Sequence, residues 1–261
     1  MVTETGVYVY AISRDLPEKT IERAQGVSGA PVRAISHEGV TALVSTVDLA
    51  EFGEEALRRN LEDLRWLEST ARGHDTVVAS AAALAVTLPM RLLTVYRSDA
   101  RVREALRDRQ QEFAEAFGRI SGRREWGVKC FAELRELMTG DTPAESTDSA
   151  RPGTSYLQRR RAERHTEEEA RREAMRRASE IDTRLSEIAV TRHLHPPQNP
   201  ELSGHKGLMI LNASYLVDDQ NVDEFQKAVA SRGEARGITA QLSGPWAPYS
   251  FATEEEPWTG R

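Results

Sequence analysis

A single cysteine in 261 residues leaves no partner for a disulfide within the chain. That residue, Cys130, sits in the apolar run E-W-G-V-K-C-F-A, where nothing nearby lowers a thiol pKa, so it reads as a buried thiol and not a nucleophile. Lysine is scarce: Lys19, Lys129, Lys206 and Lys227 are the whole complement. Aromatic residues are only 6% of the chain, and the net charge of −6 lacks the basic excess of a general nucleic-acid binder. The same acidity argues against adhesion to anionic lipid. No apolar run reaches a membrane span, and the longest, V-V-A-S-A-A-A-L-A-V-T-L-P-M, closes at Pro89 and Met90. The start, M-V-T-E-T-G-V-Y-V-Y, has neither a basic n-region nor a long h-region, so a signal peptide is not expected and a soluble, cytoplasmic protein is. Absent as well are a Gly-x-Ser-x-Gly elbow, a glycine-rich phosphate loop and a dinucleotide fingerprint. The glycines of S-R-G-E-A-R-G follow a helical pattern and not a strand, so they fail the context test.

What is present is an alternation of strand and helix periods. Residues 6–12, G-V-Y-V-Y-A-I, read as a strand. Two further strand-like runs flank His37-Glu38-Gly39, and the glycine at the tip predicts a tight antiparallel hairpin. From Glu54 the period becomes helical: Leu57, Leu61, Leu64, Leu67 and Ala71 predict an amphipathic helix, which Gly73 is expected to break before a second, alanine-rich helix from His74 to Ala85. Val86 to Tyr96 reads as a strand with Pro89 at an edge or an end, because proline lacks the donor that a central ladder needs. Residues 99–120 predict an amphipathic helix that Ser121-Gly122 stops, which places a domain boundary there: 1–122 and 123–261.

The second half opens with a strand at 125–132. Residues 139–155 are small, polar and proline-bearing, which predicts a flexible loop. A long charged helix over 156–192 follows, with a narrow apolar seam at Ala174, Ala178, Ile181, Leu185 and Ile188. H-L-H-P-P-Q-N-P (193–200) reads as a loop, 207–217 as a central strand, Asp218 to Gly233 as a helix and 238–246 as the last strand. The fold class is therefore α+β. It has two domains, each a small, mainly antiparallel sheet with helices packed on it. The C-terminal one is ferredoxin-like if a short strand lies around 190–195.

Candidate chemistry is thin. His193 and His195 would share one side of a strand, but a zinc site wants three or four ligands, and neither cysteine nor carboxylate stands beside them. His74-Asp75, read as a helix start, would point about a hundred degrees apart, which suits no acid–base dyad. Arg91, inside an apolar run, calls for a structural ion pair or marks a binding determinant. Trp246 and Tyr249, in the proline-bracketed stretch L-S-G-P-W-A-P-Y-S-F, suit either an interface anchor or a core plug. The rigid Gly-Pro and Ala-Pro steps favour Trp246 buried and Tyr249 partly exposed.

Five segments occur in order: V-Y-V-Y-A-I, H-D-T-V-V-A-S-A-A-A-L-A-V-T-L-P-M-R-L-L-T-V-Y, E-W-G-V-K-C-F-A, L-N-A-S-Y-L-V and G-P-W-A-P-Y-S-F-A. Together they resemble the gas vesicle protein F/L family, from about residue 6 to 252. The resemblance implies two α+β domains, at least one ferredoxin-like, and a non-enzymatic accessory protein of gas vesicle formation. Its implied partners are the small hydrophobic shell protein, kept from aggregating or helped to nucleate the shell, and other accessory proteins. No nucleic acid, membrane, metal or cofactor is implied, and no catalytic motif is transferred. Arg91, Trp246 and Tyr249 stand as the partner-binding candidates. Two other readings remain open at this point. One is a small-molecule sensor or enzyme with an interdomain cleft, using Arg91, His74 and Arg97. The other is a scaffold that self-associates through the 174–188 seam.

Overall fold

The structure is a computed structural model that describes residues 4–17, 24–138, 152–198, 205, 207–233 and 236–252. The expected loop at 139–155 lies mostly outside the described residues. The chain makes two compact units, one running to Arg124 and including the stretch from Trp246 onward, the other Glu125–Pro245.

The first unit is built on β1 (Thr5–Arg14), β2 (Arg33–His37), β3 (Val40–Asp48), β4 (Val86–Pro89) and β5 (Val95–Tyr96). The strand order is β2-β3-β1-β4, with β5 also paired to β1, and all pairs are antiparallel. The β2–β3 connection is a two-residue turn in which Glu38 (φ 45°) and Gly39 (φ 81°) both take the left-handed backbone that matches strand twist. Pro89 sits opposite Ala11 at the end of β4, on the outer side of β1, where its missing donor costs no ladder bond. The run that reads as one strand over 86–96 is two short ones. The turn between them has its Leu93 at φ 67°, and both strands serve the same edge of β1.

β1 is apolar on both faces because both are covered. Val7, Val9 and Ile12 pack with Val102, Leu106, Phe113 and Phe117 from α4 (Asp99–Asp108) and α5 (Gln110–Ile120). Tyr8, Tyr10 and Ala11 pack with Phe52 of α1 (Leu49–Phe52) and with Val77, Val78 and Ala81 of α3 (Leu64–Ala82). α2 (Glu54–Asn60) leads into α3 through a turn that Asp63 caps, accepting from the Arg65 and Trp66 N–H groups.

Two helical expectations fail here. Gly73 does not break α3. A Cβ at that position would stand 3.2 Å from the Gly26 carbonyl oxygen and the Val27 Cα, so the glycine is where the helix touches the 24–30 loop. The leucine stripe is cut by the 61–63 turn, and Leu61 and Leu64 are left exposed, Leu64 at 77%.

The second unit runs β6 (Arg123–Ala132), α6 (Leu134–Met138), α7 (Pro152–Ile188), β7 (Thr191–Leu194), β8 (Leu208–Asp218), α8 (Val222–Gly233) and β9 (Ile238–Trp246). Its sheet order is β7-β8-β6-β9. The short strand is present, and it takes His193 out of the expected loop. The seam residues Ala174, Ala178, Ile181, Leu185 and Ile188 are all buried against Trp126, Val128, Cys130 and Tyr215. That seam is the core of the unit, so it cannot also drive self-association. Cys130 lies within this core, and burial pushes its thiol up to about 12.

Candidate functional site

The only histidine buried in the first core is the centre of its polar chemistry. His74 lies in the middle of α3, not at a helix start, and is 3% exposed. The Leu93 N–H donates to the Tyr8 hydroxyl at 3.1 Å, which leaves the Tyr8 O–H to donate to His74 Nδ1 at 3.0 Å. The imidazole proton is therefore on Nε2, which has no hydrogen-bond partner. Burial holds the ring pKa down at about 4; the Met90 backbone pulls the other way without hydrogen-bonding geometry. Burial likewise raises the Tyr8 and Tyr10 hydroxyls. Tyr10 donates to Ser45 Oγ and accepts from the Val27 N–H, and its ring and that of Tyr8 pack against His74. This is a buried, neutral network that pins β1, β3 and α3 together.

One of the three candidate residues, Tyr249, stands beside this histidine. Tyr249 has its ring centroid 6.3 Å from that of His74, its hydroxyl is 3.5 Å from Asp75 Oδ1, and it is 39% exposed. Arg91 follows Met90, whose N–H donates to the Tyr10 carbonyl. The Arg91 carbonyl in turn accepts from the Thr94 N–H and hydroxyl. The Arg91 side chain is exposed and pairs with no carboxylate among the described residues.

Trp246 corrects the expectation of burial: it ends β9 and is 50% exposed. What plugs the core is the small and the later part of the same stretch. Ala247 packs on the α3 side, Phe251 and Ala252 on the α4–α5 side, and Pro248 is buried. The Phe251 N–H donates to the Pro248 carbonyl at 3.1 Å, closing a turn that faces Tyr249 outward. The stretch therefore both plugs a core and presents rings, on different residues.

The residues offered for catalysis do not assemble. Asp75 points away from the buried face of α3, and Arg97 is exposed. His193 and His195 stack edge-on at 4.9 Å, His195 Nε2 lies 2.9 Å from Ser214 Oγ, and burial, then His193, lowers the His195 pKa. Among the described residues no group of three or more His, Cys, Asp or Glu could hold a metal ion. Sequence reasoning missed Leu61 and Leu64 as exposed apolar residues, since their spacing is that of a buried stripe.

A family model described as gas vesicle synthesis protein GvpL/GvpF matches residues 6–253. The chain belongs to the GvpL/GvpF family. It is 37% identical to gas vesicle protein L of Streptomyces sp. (strain CB03234), over 97% of this chain and 94% of that one. It is 26% identical to gas vesicle protein F of the same strain, over 94% and 98%. The fold matches the crystal structure of GvpF from Anabaena sp. PCC7120 at a TM-score of 0.65, with 22% identity over 97% of this chain and 98% of that one. Membership ties this GvpL/GvpF protein to gas vesicle formation and sets it in a family of accessory proteins, not of known enzymes. Among the described residues no helix is long and apolar enough to cross a membrane.

Proposed function

We propose that this GvpL/GvpF protein acts without catalysis, by binding the small hydrophobic shell protein and holding it soluble or in place for shell growth, in the cytoplasm and at the vesicle. The observation that carries the reading is the pair of rings left outside by a rigid, core-anchored segment: Trp246 and Tyr249, with Ala247, Pro248 and Ala252 fixed beneath or beside them. Rings held in place lose little entropy on binding, which is what makes Trp and Tyr effective anchors. Arg91 adds an exposed cation on a turn tied to the same aromatic core. The higher identity to an L than to an F protein of one strain supports an L-type member.

A pull-down with purified shell protein tests this. The wild-type chain retains the shell protein, and Trp246→Ala with Tyr249→Ala lowers its affinity at least tenfold, or about 1.4 kcal/mol. No association of the wild-type chain, together with normal vesicles in a deletion strain, removes the proposal.

A further inference from the structure

We propose that the client lies as an apolar helix along one flank of α3, beside Tyr249, and sets a lysine or arginine against Asp75. The client's identity rests on the shell-protein reading above; the surface and the chemistry it calls for belong to the chain itself. The first core claims the arc of α3 that holds Thr70, His74, Val77, Val78 and Ala81. One side of that arc is taken: Gly73 meets the 24–30 loop, and Trp66 Nε1 donates to Glu51 of α1 at 2.8 Å. On the other side the apolar character continues past the core. Leu64, Glu68, Ala71, Asp75, Ala79 and Ala82 fall between about 60° and 140° round the axis from His74, in a row roughly 27 Å long. Four of the six are apolar, and all are exposed or half-buried, so α3 is apolar over a wider arc than its own core covers. Beyond the row the face turns polar, with Arg65, Arg72 and Thr76. Tyr249 stands on the same flank, its ring against His74 and its hydroxyl 3.5 Å from Asp75 Oδ1.

Side-chain size and charge select the occupant. The alanines let another backbone approach closely, and a straight row at four- and seven-residue spacings is the shape into which a second helix lays its ridge. Leu64 at one end and Tyr249 near the middle supply apolar area to cover. The charge on the flank narrows the choice. Glu68 is held by Arg72 at 2.6 Å, and the Thr76 and Ser80 hydroxyls donate back to carbonyls of their own helix. Asp75 pairs with no arginine or lysine among the described residues. A carboxylate beside an aromatic ring is a seat for a cation, which meets an opposite charge and a ring together. A second copy docking through the same flank brings no such cation, because the row holds neither lysine nor arginine. The complement is therefore a foreign helix, apolar along one face and bearing one basic side chain.

Binding of purified shell protein to the full chain, at low and at high salt, tests this. Asp75→Asn binds about three- to fivefold more weakly than wild type at low salt and equally at high salt, because screening removes from the wild type what the substitution removes from the variant. Ala79→Arg, which puts a bulky cation where the client's own cation approaches, binds at least tenfold more weakly at low salt. Both positions are exposed, so both variants keep the wild-type melting temperature within a few degrees. Should either fail to fold, Ala79→Cys carrying a photoreactive maleimide decides, since Cys130 is buried and does not take the label. It crosslinks to the shell protein, and the same label on Arg103→Cys, exposed on α4 across the sheet, does not. Full affinity in both variants, or crosslinking from Ala79→Cys no stronger than from Arg103→Cys, overturns the flank and leaves the reading of Trp246 and Tyr249 standing. Weak binding by Ala79→Arg with Asp75→Asn unchanged overturns the cation. A wild-type chain that binds no shell protein overturns both the flank's client and the reading it rests on.

Discussion

His74 shows how far single-residue reading goes. From the sequence it is a histidine beside an aspartate, an invitation to acid–base chemistry. In the fold its partner is Tyr8, 66 residues away, and Asp75 faces outward. No local pattern could supply that pairing. Trp246 failed similarly: proline fixes where a ring lands, but which ring lands inside depends on a core made by distant strands. His74 has a measurable consequence. Its folded pKa of about 4 lies below the ordinary 6.5. Above the ordinary value both folded and unfolded chains hold it neutral, so its contribution is fully present there. As pH falls from 6.5 toward 4 only the unfolded chain takes up the proton, and stability is lost, by up to about 3 kcal/mol. Urea unfolding of His74→Gln between pH 7.5 and 4 should show a decline shallower than wild type by about that amount. Parallel declines would show that the imidazole is not the cause.

Elements were more legible than residues. The β2–β3 hairpin followed from a glycine at its tip, the α7 seam from its period, and the place of β8 from its strand-rich run, because each of these signals is local. What the period could not say was which apolar stripe finds a partner: the leucines of 57–67 recur at helical spacing as the α7 seam does, yet Leu61 and Leu64 are exposed. Thr191–Leu194 reads as the end of the long helix running into a loop, since Pro196 and Pro197 follow, and only pairing with β8 makes it a strand. Gly73 is the sharpest case. An exposed helical glycine replaced by alanine gains about 0.5–1 kcal/mol. Gly118 in α5, where an added Cβ would meet nothing within 4 Å, should follow that rule. Gly73→Ala should reverse it: the added methyl presses on the backbone of Gly26 and Val27, which lie at 3.2 Å and cannot rotate aside, at a cost of about 1–2 kcal/mol. Midpoints in urea for the two variants, moving in opposite directions from wild type, check this. A gain at both positions would show that the loop yields freely.

At the scale of the whole molecule, two α+β halves were legible from the order of strand and helix periods, while the return of the chain end to the first half was not. Boundaries drawn along a sequence assume that each half is continuous. Here the residues after Pro245 belong with the strands that begin the chain, because Ala247, Phe251 and Ala252 fill the cores on either side of β1. This placement links stability to the proposed function: the segment that carries the two exposed rings is also the segment that closes the first core, so a client bound there would pull on β1 and β4. Ending the chain after Pro245 should open the first unit selectively. Losing the burial of Phe251 and its neighbours removes about 2–3 kcal/mol. By hydrogen exchange, amides of β1 and β4 should exchange roughly 30- to 150-fold faster, with β6 and β8 unchanged. Unchanged protection of β1 in the shorter chain would mean that the segment rests on the first unit without supporting it, and the rings would then lose the rigid base on which their role as anchors depends.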